Sequence, residues 1–146
     1  MNTLQITVLG EPTPQAAGTT IVRGKSRFRA GTSKSLSFWR DRVATEAQAV
    51  ITRDGWTLTE QPLQLSAEFI MPRPKSHPKT REIPCTKRPD LKNLVWAVED
   101  ALAGIVYADD RQIITYGRIH KRYAELGEQS GATIKVAELV PAGRSE

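Results

Sequence analysis

Alternating hydrophobic and polar positions mark several stretches of the chain as β-strands. Leu4, Ile6 and Val8 alternate with polar residues up to the turn-forming segment Gly10–Pro14. A second run is apolar at every other position from residue 63 to residue 71. Towards the C-terminus, residues 112–123 and 132–140 are strand-like and are separated by a turn with a glycine at each end. The pattern therefore predicts four strands, the last two joined by a turn.

Apolar residues at helical spacing predict two helices. The first has its apolar face between residues 36 and 51 and ends before Gly55. The second starts at Leu91, and Gly104 is well placed to end it. Between them, residues 72–89 hold five of the nine prolines, which favours a loop. We expect an α/β (α+β) fold, a mixed β-sheet with two helices packed on it, in a single domain over residues 1–146.

The charge of the chain favours an anionic partner. Formal net charge is +5 and the pI is about 9.6. Residues 12–40 contain six basic residues and no acid, and residues 72–89 contain six more against Glu82 alone. Between residues 22 and 29 the basic residues occupy alternate positions, which suits a strand or hairpin arm with its charge on one side as well as it suits a flexible arm. Two basic clusters that together contain only one acid indicate nucleic acid.

Other features narrow the class of protein. Cys85 is the only cysteine, which excludes an internal disulfide, a four-cysteine zinc site and a paired-cysteine redox motif. No apolar run approaches the ~18 residues of a membrane span. The N-terminal segment lacks the basic start and apolar stretch of a secretory signal. We therefore expect a cytoplasmic protein without a membrane partner.

Carboxylates at the two ends of the second helix suggest a metal site. Asp90 precedes this helix, and Asp109 and Asp110 follow it. If residues 105–107 begin a strand that returns along the helix, Asp110 arrives beside Asp90, because six residues at ~3.3 Å match the helix length. Adjacent carboxylates need a cation between them, and oxygen ligands beside basic loops favour Mg²⁺. Plainer interpretations are that Asp90 caps the helix and that Asp109 and Asp110 lie in a polar turn.

The run RPDLKNLVWAVEDALAGIVYADDRQI, residues 88–113, resembles the signature of the RusA family of Holliday junction resolvases. That signature starts a helix with Arg/Lys-Pro-Asp-x-Asp-Asn-Leu and continues with Asp-Ala-Leu and then Asp-Asp-x-Gln-Val/Ile. Residues 10–15, Gly-Glu-Pro-Thr-Pro-Gln, are similar to the family's loop after its first strand. The resemblance implies a dimeric, Mg²⁺-dependent endonuclease, often encoded by phages or prophages in bacteria, that cuts four-way DNA junctions with paired symmetric nicks. Mn²⁺ is expected to substitute for Mg²⁺.

The resemblance also implies roles for individual residues. The family's first and last catalytic aspartates fall on Asp90 and Asp110, both expected as metal ligands. Its second aspartate is Lys92 here, and its functional lysine one turn later is Trp96. We expect Lys92 to stabilise the attacked phosphate and Asp109 to replace the lost ligand. Further candidates at the site are Glu99, Asp100, Asn93 and Trp96.

Basic side chains of the two clusters are expected to hold the DNA arms. They are Arg23, Lys25, Arg27, Arg29, Arg73, Lys75, Lys79, Arg81, Lys87 and Arg88. An alternative is a protein of the same fold that binds branched DNA but cuts it weakly or not at all, because the ammonium of Lys92 would repel a metal ion. A related nuclease that acts on flaps or other branched DNA would need the same residues.

Overall fold

A four-stranded mixed sheet with two helices forms the body of the protein, as a computed structural model shows. The structure describes residues 2–15, 20–23, 26–29, 34–78 and 81–139. The sheet strands are β1 (Thr3–Leu9), β4 (Leu63–Met71), β5 (Ile113–Tyr123) and β6 (Gly131–Glu138). Their order is β1-β6-β4-β5; β6 is antiparallel to both neighbours, and β4 pairs with β5 in parallel. The predicted α+β class and mixed sheet are confirmed.

Both helices cover the same face of the sheet. Helix α1 (Lys34–Asp54) and helix α2 (Leu91–Leu102) contact each other, and α1 also contacts β1. The alternation of β4 is complete, since every second side chain from Leu63 to Met71 is buried. Trp39 of α1 lies within this core at 1% exposure. Burial of the apolar helix faces against the alternating strands is what the sequence pattern requires.

The basic segment before α1 forms a hairpin. Strand β2 (Thr20–Arg23) pairs antiparallel with β3 (Ser26–Arg29) in a sheet of their own. The sequence pattern suited a strand or hairpin arm and a flexible arm equally well. The structure has two short paired strands. The side chains of Arg23, Arg27 and Arg29, and the whole of Lys25 and Lys79, lie outside the described residues.

The predicted strand at residues 105–107 is wrong. Residues 104–106 form a turn at the end of α2, and Tyr107 makes only isolated bridges. Gly104 has φ of 83°, so the chain reverses there, as its position indicated. The strand that returns along α2 is β5, which begins after Asp110 instead of before it. Within the described residues, no helix is long and apolar enough to cross a membrane.

Candidate metal centre and nucleic-acid interface

The last turn of α2 is fixed to the segment that follows it. The hydroxyl of Tyr107 donates to the carbonyl of Glu99 at 2.7 Å, and Tyr107 is fully buried. Gly104 donates its backbone N–H to the carbonyl of Tyr107 at 2.7 Å, which closes the reversal. The indole of Trp56 donates to the carbonyl of Val106 at 3.0 Å. These bonds hold the chain against the helix end just before Asp109 and Asp110.

Asp109 is a helix cap. A 3-10 helix spans Asp110–Gln112, and the Asp109 carboxylate accepts the backbone N–H of Arg111 at 2.8 Å. Gln112 completes a capping box, since its side-chain oxygen accepts the N–H of Asp109 at 2.8 Å. The same carboxylate lies 3.1 Å from the Arg111 guanidinium, and the bonds from Arg111 lower the pKa of Asp109. The polar-turn interpretation therefore describes Asp109 well.

Glu99 projects from the last turn of α2 towards β5. Its carboxylate accepts a hydrogen bond from the hydroxyl of Tyr116 at 2.7 Å. Burial raises the pKa of Glu99; the bond from Tyr116 opposes that rise, and the charges of Asp110 and Asp100 add to it. Burial and the bond to Glu99 raise the pKa of Tyr116 to about 12. Glu99 is thus a half-buried carboxylate held by a neutral hydroxyl donor.

Asp110 lies in the same electrostatic neighbourhood. Loss of solvent around its carboxyl raises its pKa, and Asp109 and Asp100 raise it further. Asp110 in turn raises the pKa of Glu99. The charge of Asp110 therefore makes Glu99 harder to ionise, and a cation beside both would relieve that repulsion. The end of α2 brings together Glu99, Asp100 and Asp110.

Asp90 lies at the other end of α2. It is the residue before the first helical turn, as the capping interpretation predicted, but its side chain makes no capping hydrogen bond. Nine residues at ~1.5 Å separate it from Glu99 along the helix, about 14 Å. Lys92 is exposed in the first turn, and the carbonyl of Asn93 accepts the N–H of Gln15 at 2.9 Å.

Strand β5 runs antiparallel to α2, and this explains why Asp90 and Asp110 lie at opposite ends of the helix. Tyr116, early in the strand, contacts Glu99 in the last turn of α2. Lys121, late in the strand, donates from its ammonium to the carbonyls of Lys87 at 2.8 Å and Pro89 at 2.7 Å, just before α2. Asp110 precedes β5 and stays at the far end. A strand does run back along α2, as predicted. It consists of residues 113–123, however, so Asp110 lies before the strand and at the opposite end of α2 from Asp90.

The proline-rich basic loop lies at the Asp90 end. Lys75, Arg81, Lys87 and Arg88 are exposed there, as expected for residues that meet a polyanion. Arg73 has a second role, since its guanidinium donates to the carbonyls of Pro78 and Ala124 and so shapes the loop.

Sequence reasoning missed the supporting side chains. Gln112 donates to the carbonyls of Thr59 and Gln61, each at 2.9 Å, and so ties the Asp109 cap to the loop before β4. The three-residue spacing from Asp109 to Gln112 is the signal of a capping box and could have identified this role. The contact from Tyr116 to Glu99 has no local signal, because 17 residues separate the two in sequence.

The residues at the end of α2 suit a hard divalent cation. Mg²⁺ uses one or two carboxylates and completes its shell with waters and substrate phosphate oxygens. Glu99 and Asp110 supply two carboxylates in surroundings that penalise their charge. Within the described ranges, no group of three or more His, Cys, Asp or Glu side chains is arranged to hold a metal. The donor set matches the sparse protein ligation of Mg²⁺ better than a closed all-protein cage.

Carboxylates that could hold a divalent cation, in a molecule with an exposed basic loop, are the combination that a metal-dependent hydrolase of nucleic acids needs. The chain belongs to the RusA family of endodeoxyribonucleases, which matches residues 10–136. Its class of chemistry is therefore the hydrolysis of phosphodiester bonds within DNA, and its partner is DNA. The family resemblance of residues 88–113 is confirmed.

One curated relative extends over nearly the whole chain. It is the uncharacterized protein YqaN of Bacillus subtilis (strain 168), which is 26% identical over 134 residues. The alignment covers 86% of this chain and 91% of the relative.

Proposed function

We propose that this protein is a Mg²⁺-dependent, structure-selective endodeoxyribonuclease that resolves four-way DNA junctions by paired symmetric nicks. The observation that carries the proposal is the match to the RusA family over residues 10–136, supported by the half-buried Glu99 at the end of α2, whose pKa the nearby charge of Asp110 raises. The exposed basic loop at the other end of α2 supplies contacts to the DNA arms.

We assign Asp110 and Glu99 as the metal ligands, with Asp100 adding negative charge nearby. Asp109, the substitute that the sequence favoured, is engaged by Arg111 as a cap and is better placed to position Asp110. When bound, Mg²⁺, or Mn²⁺ in its place, supplies a water of lowered pKa and shields charge on the phosphorus oxygens.

Residues around the ligands hold them in place. Tyr116 orients the carboxylate of Glu99 with its hydroxyl, in the way that outer-shell donors orient metal ligands. Gln112 fixes the segment that carries Asp110 by bonding to Asp109 and to the loop before β4. Neither side chain needs to touch the substrate for these roles.

Asp90 joins this site only through a second copy of the chain. The ~14 Å of helix between Asp90 and Glu99 exceeds any shared coordination sphere. Antiparallel packing of α2 against α2 of a partner would place the first turn of one helix beside the last turn of the other. In such a two-fold dimer, Asp90 and Lys92 of one copy meet Asp110 of its partner. Trp96, in the middle of α2 and 37% exposed, lies where the helices would cross.

A two-fold dimer fits a four-way junction. The junction has an approximate two-fold axis of its own, so two equivalent sites can cut strands of the same polarity. Lys92, exposed beside Asp90, places a cation where the attacked phosphate would lie. Single-domain organisation over residues 1–146 is part of this proposal.

Cleavage of a labelled four-way junction tests the proposal. We expect paired symmetric nicks in Mg²⁺ and none in EDTA. Asp110→Asn should lower the cleavage rate by at least about 100-fold, because losing even an outer-shell partner costs 10 to 100-fold. Asp41→Asn, which changes an exposed carboxylate on α1, is the control and should cut normally. Nicking that persists in EDTA, or in Asp110→Asn, would overturn the proposal.

One observation favours a second function, the binding of branched DNA without cutting. Lys92 stands where the family signature has an aspartate, and an ammonium repels a metal ion. A junction that is retarded on a gel but stays intact in both Mg²⁺ and EDTA would support that function. Cleavage of flaps in preference to four-way junctions would instead identify a related nuclease.

A further inference from the structure

A surface groove beside the start of α1 plays no part in the metal site. Its volume is about 400 Å³, and its floor includes Trp39. The loop after β1 forms one wall and is tied to α2 by the bond from Gln15 to Asn93. The groove therefore lies towards the Asp90 end of α2, close to the helix turn that carries Lys92.

An exposed aromatic ring dominates the groove. Phe38 keeps 65% of its surface in solvent, compared with 53% for Tyr116 and 37% for Trp96. The guanidinium carbon of Arg42 lies 5.8 Å from the ring centroid, and Arg42 is fixed by a 2.7 Å bond to the carbonyl of Leu9. The exposed ring beside a fixed guanidinium therefore offers a surface on which a planar group can stack.

The charges around Phe38 identify the chemistry of that partner. Lys34 and Arg42 line the groove together with the hydroxyl-bearing Thr13 and Ser35, and Glu11 is the one acid in the lining. A flat ring between two cations matches the arrangement by which proteins bind unpaired nucleotides, with the base stacked on the aromatic side chain and the phosphates on the cations.

We propose that this groove binds an unpaired nucleotide of the branched DNA substrate, with its base stacked on Phe38 and its phosphate held by Lys34 and Arg42. The proposal rests on the proposed function, because it takes the substrate to be branched DNA. Bases within a duplex have both faces covered by their neighbours, so Phe38 can stack only on a base that has left the duplex. The groove would therefore distinguish a branch point from continuous duplex.

Fluorescence of 2-aminopurine placed at the branch point of a four-way junction tests the proposal directly. With the full chain in EDTA, so that no strand is cut, binding should change the emission of this base through stacking on Phe38. Phe38→Ala should abolish that change and weaken binding to the junction and to oligo(dT) by about tenfold. Binding to a linear duplex should be unaffected, and Phe38→Tyr should restore the wild-type behaviour.

Controls separate this proposal from folding defects and from the proposed function. Leu58→Ala removes an exposed apolar side chain beyond the opposite end of α1 and should leave all DNA binding unchanged. Phe38→Ala should melt like the wild type, because its side chain is mostly in solvent.

If the wild type binds branched DNA and Phe38→Ala binds it equally well, with the same change in 2-aminopurine emission, the groove proposal is overturned. The proposed function would be unaffected by that result. Equal weakening for junction, oligo(dT) and duplex would overturn the groove proposal too, as would a change of oligomeric state in Phe38→Ala without a change in DNA binding. A wild-type protein that binds no branched DNA would contradict the proposed function itself.

Discussion

Glu99 is the residue whose environment says most about the site. A glutamate in the last turn of a helix would ordinarily point into water, yet this one is half-buried beside Asp110 and Asp100 and accepts a bond from Tyr116. A buried carboxylate next to other carboxylates costs stability unless a cation accompanies it. In our account that cation is the catalytic metal.

The pH dependence of stability should reveal this cost. Because the folded pKa of Glu99 is raised, the metal-free protein loses stability as pH rises from the unfolded pKa through the folded one. Glu99→Gln keeps an oxygen acceptor for Tyr116 but removes the charge. We expect the variant to melt higher than metal-free wild type at neutral pH, and the difference to vanish below about pH 4, where Glu99 is protonated in both the folded and the unfolded protein.

The response to Mg²⁺ completes that test. At about 100 times its dissociation constant, Mg²⁺ should stabilise the wild type by ~2.7 kcal/mol, and it should stabilise Glu99→Gln much less. Thermal melting over a pH series with and without Mg²⁺ measures both effects. Equal stabilisation of the two proteins by Mg²⁺ would remove Glu99 from the ligand set.

Substitution of Lys92 distinguishes the two candidate functions, which are cleavage of the junction and binding of branched DNA without cleavage. If Lys92 stabilises the attacked phosphate, Lys92→Asp should lower junction cleavage by roughly 100-fold, the usual cost of losing one group that stabilises developing charge. Lys92→Gln, of similar length but without charge, should also lose activity. If Lys92→Asp instead creates or strongly increases cleavage, the lysine is a disabling change and the binding function is correct. Rates under single-turnover conditions distinguish these outcomes.

At the level of elements, periodicity was sufficient for most of the fold. The alternation from Leu63 to Met71 and the apolar face of α2 correspond to a core strand and a packed helix, because burial on one face requires that spacing. Gly104 ended α2 as predicted.

The return of the chain along α2 could not be placed from sequence. Residues 105–107 have the composition of a strand, but 105 and 106 lie in a turn and Tyr107 makes only isolated bridges, since Tyr107 is buried in the core and bonded to Glu99. Which short apolar run becomes the returning strand depends on pairing with β4, a contact between distant parts of the chain. Because β5 is the returning strand, Asp110 lies at the C-terminal end of α2 near Glu99. The sequence predicts it at the N-terminal end, beside Asp90.

The capping box makes a prediction at this scale. Asp109→Asn keeps a side-chain oxygen for the N–H of Arg111, so its stability should stay close to wild type. Asp109→Ala removes the cap and should lower the free energy of unfolding by about 1 kcal/mol. If Asp109 only positions Asp110, Asp109→Asn should also retain most of the cleavage activity. Denaturant unfolding and junction cleavage measure the two properties; a nearly inactive but stable Asp109→Asn would make Asp109 a metal ligand.

At the scale of the whole molecule, the basic side chains of the described proline-rich loop and the acids Glu99, Asp100 and Asp110 lie at opposite ends of α2. The exposed basic loop lies at the Asp90 end, where Lys121 anchors it, and the acidic site lies at the other end. In a dimer with antiparallel α2 helices, each acidic site would face the basic loop of the partner. DNA bound by one copy would then be cut at the site completed by the other.

Mixing two inactive variants tests that arrangement. Asp90→Asn and Asp110→Asn should each be inactive alone. In a mixed dimer, one site has both substitutions, while the other has native Asp90 from one copy and native Asp110 from the other. We expect exchange of subunits to restore single nicks, at up to one active site per mixed dimer. No recovery after verified subunit exchange would place Asp90 outside the shared site.

The location of the bound ion is the most direct measurement of the central claim. Mn²⁺ added in small amounts to isotope-labelled protein broadens the NMR signals of nuclei close to it. We predict that the backbone amide signals of Glu99, Asp100 and Asp110 broaden first, while signals of β1 stay sharp. Sharp signals at these three residues, with broadening centred elsewhere on the molecule, would contradict the account.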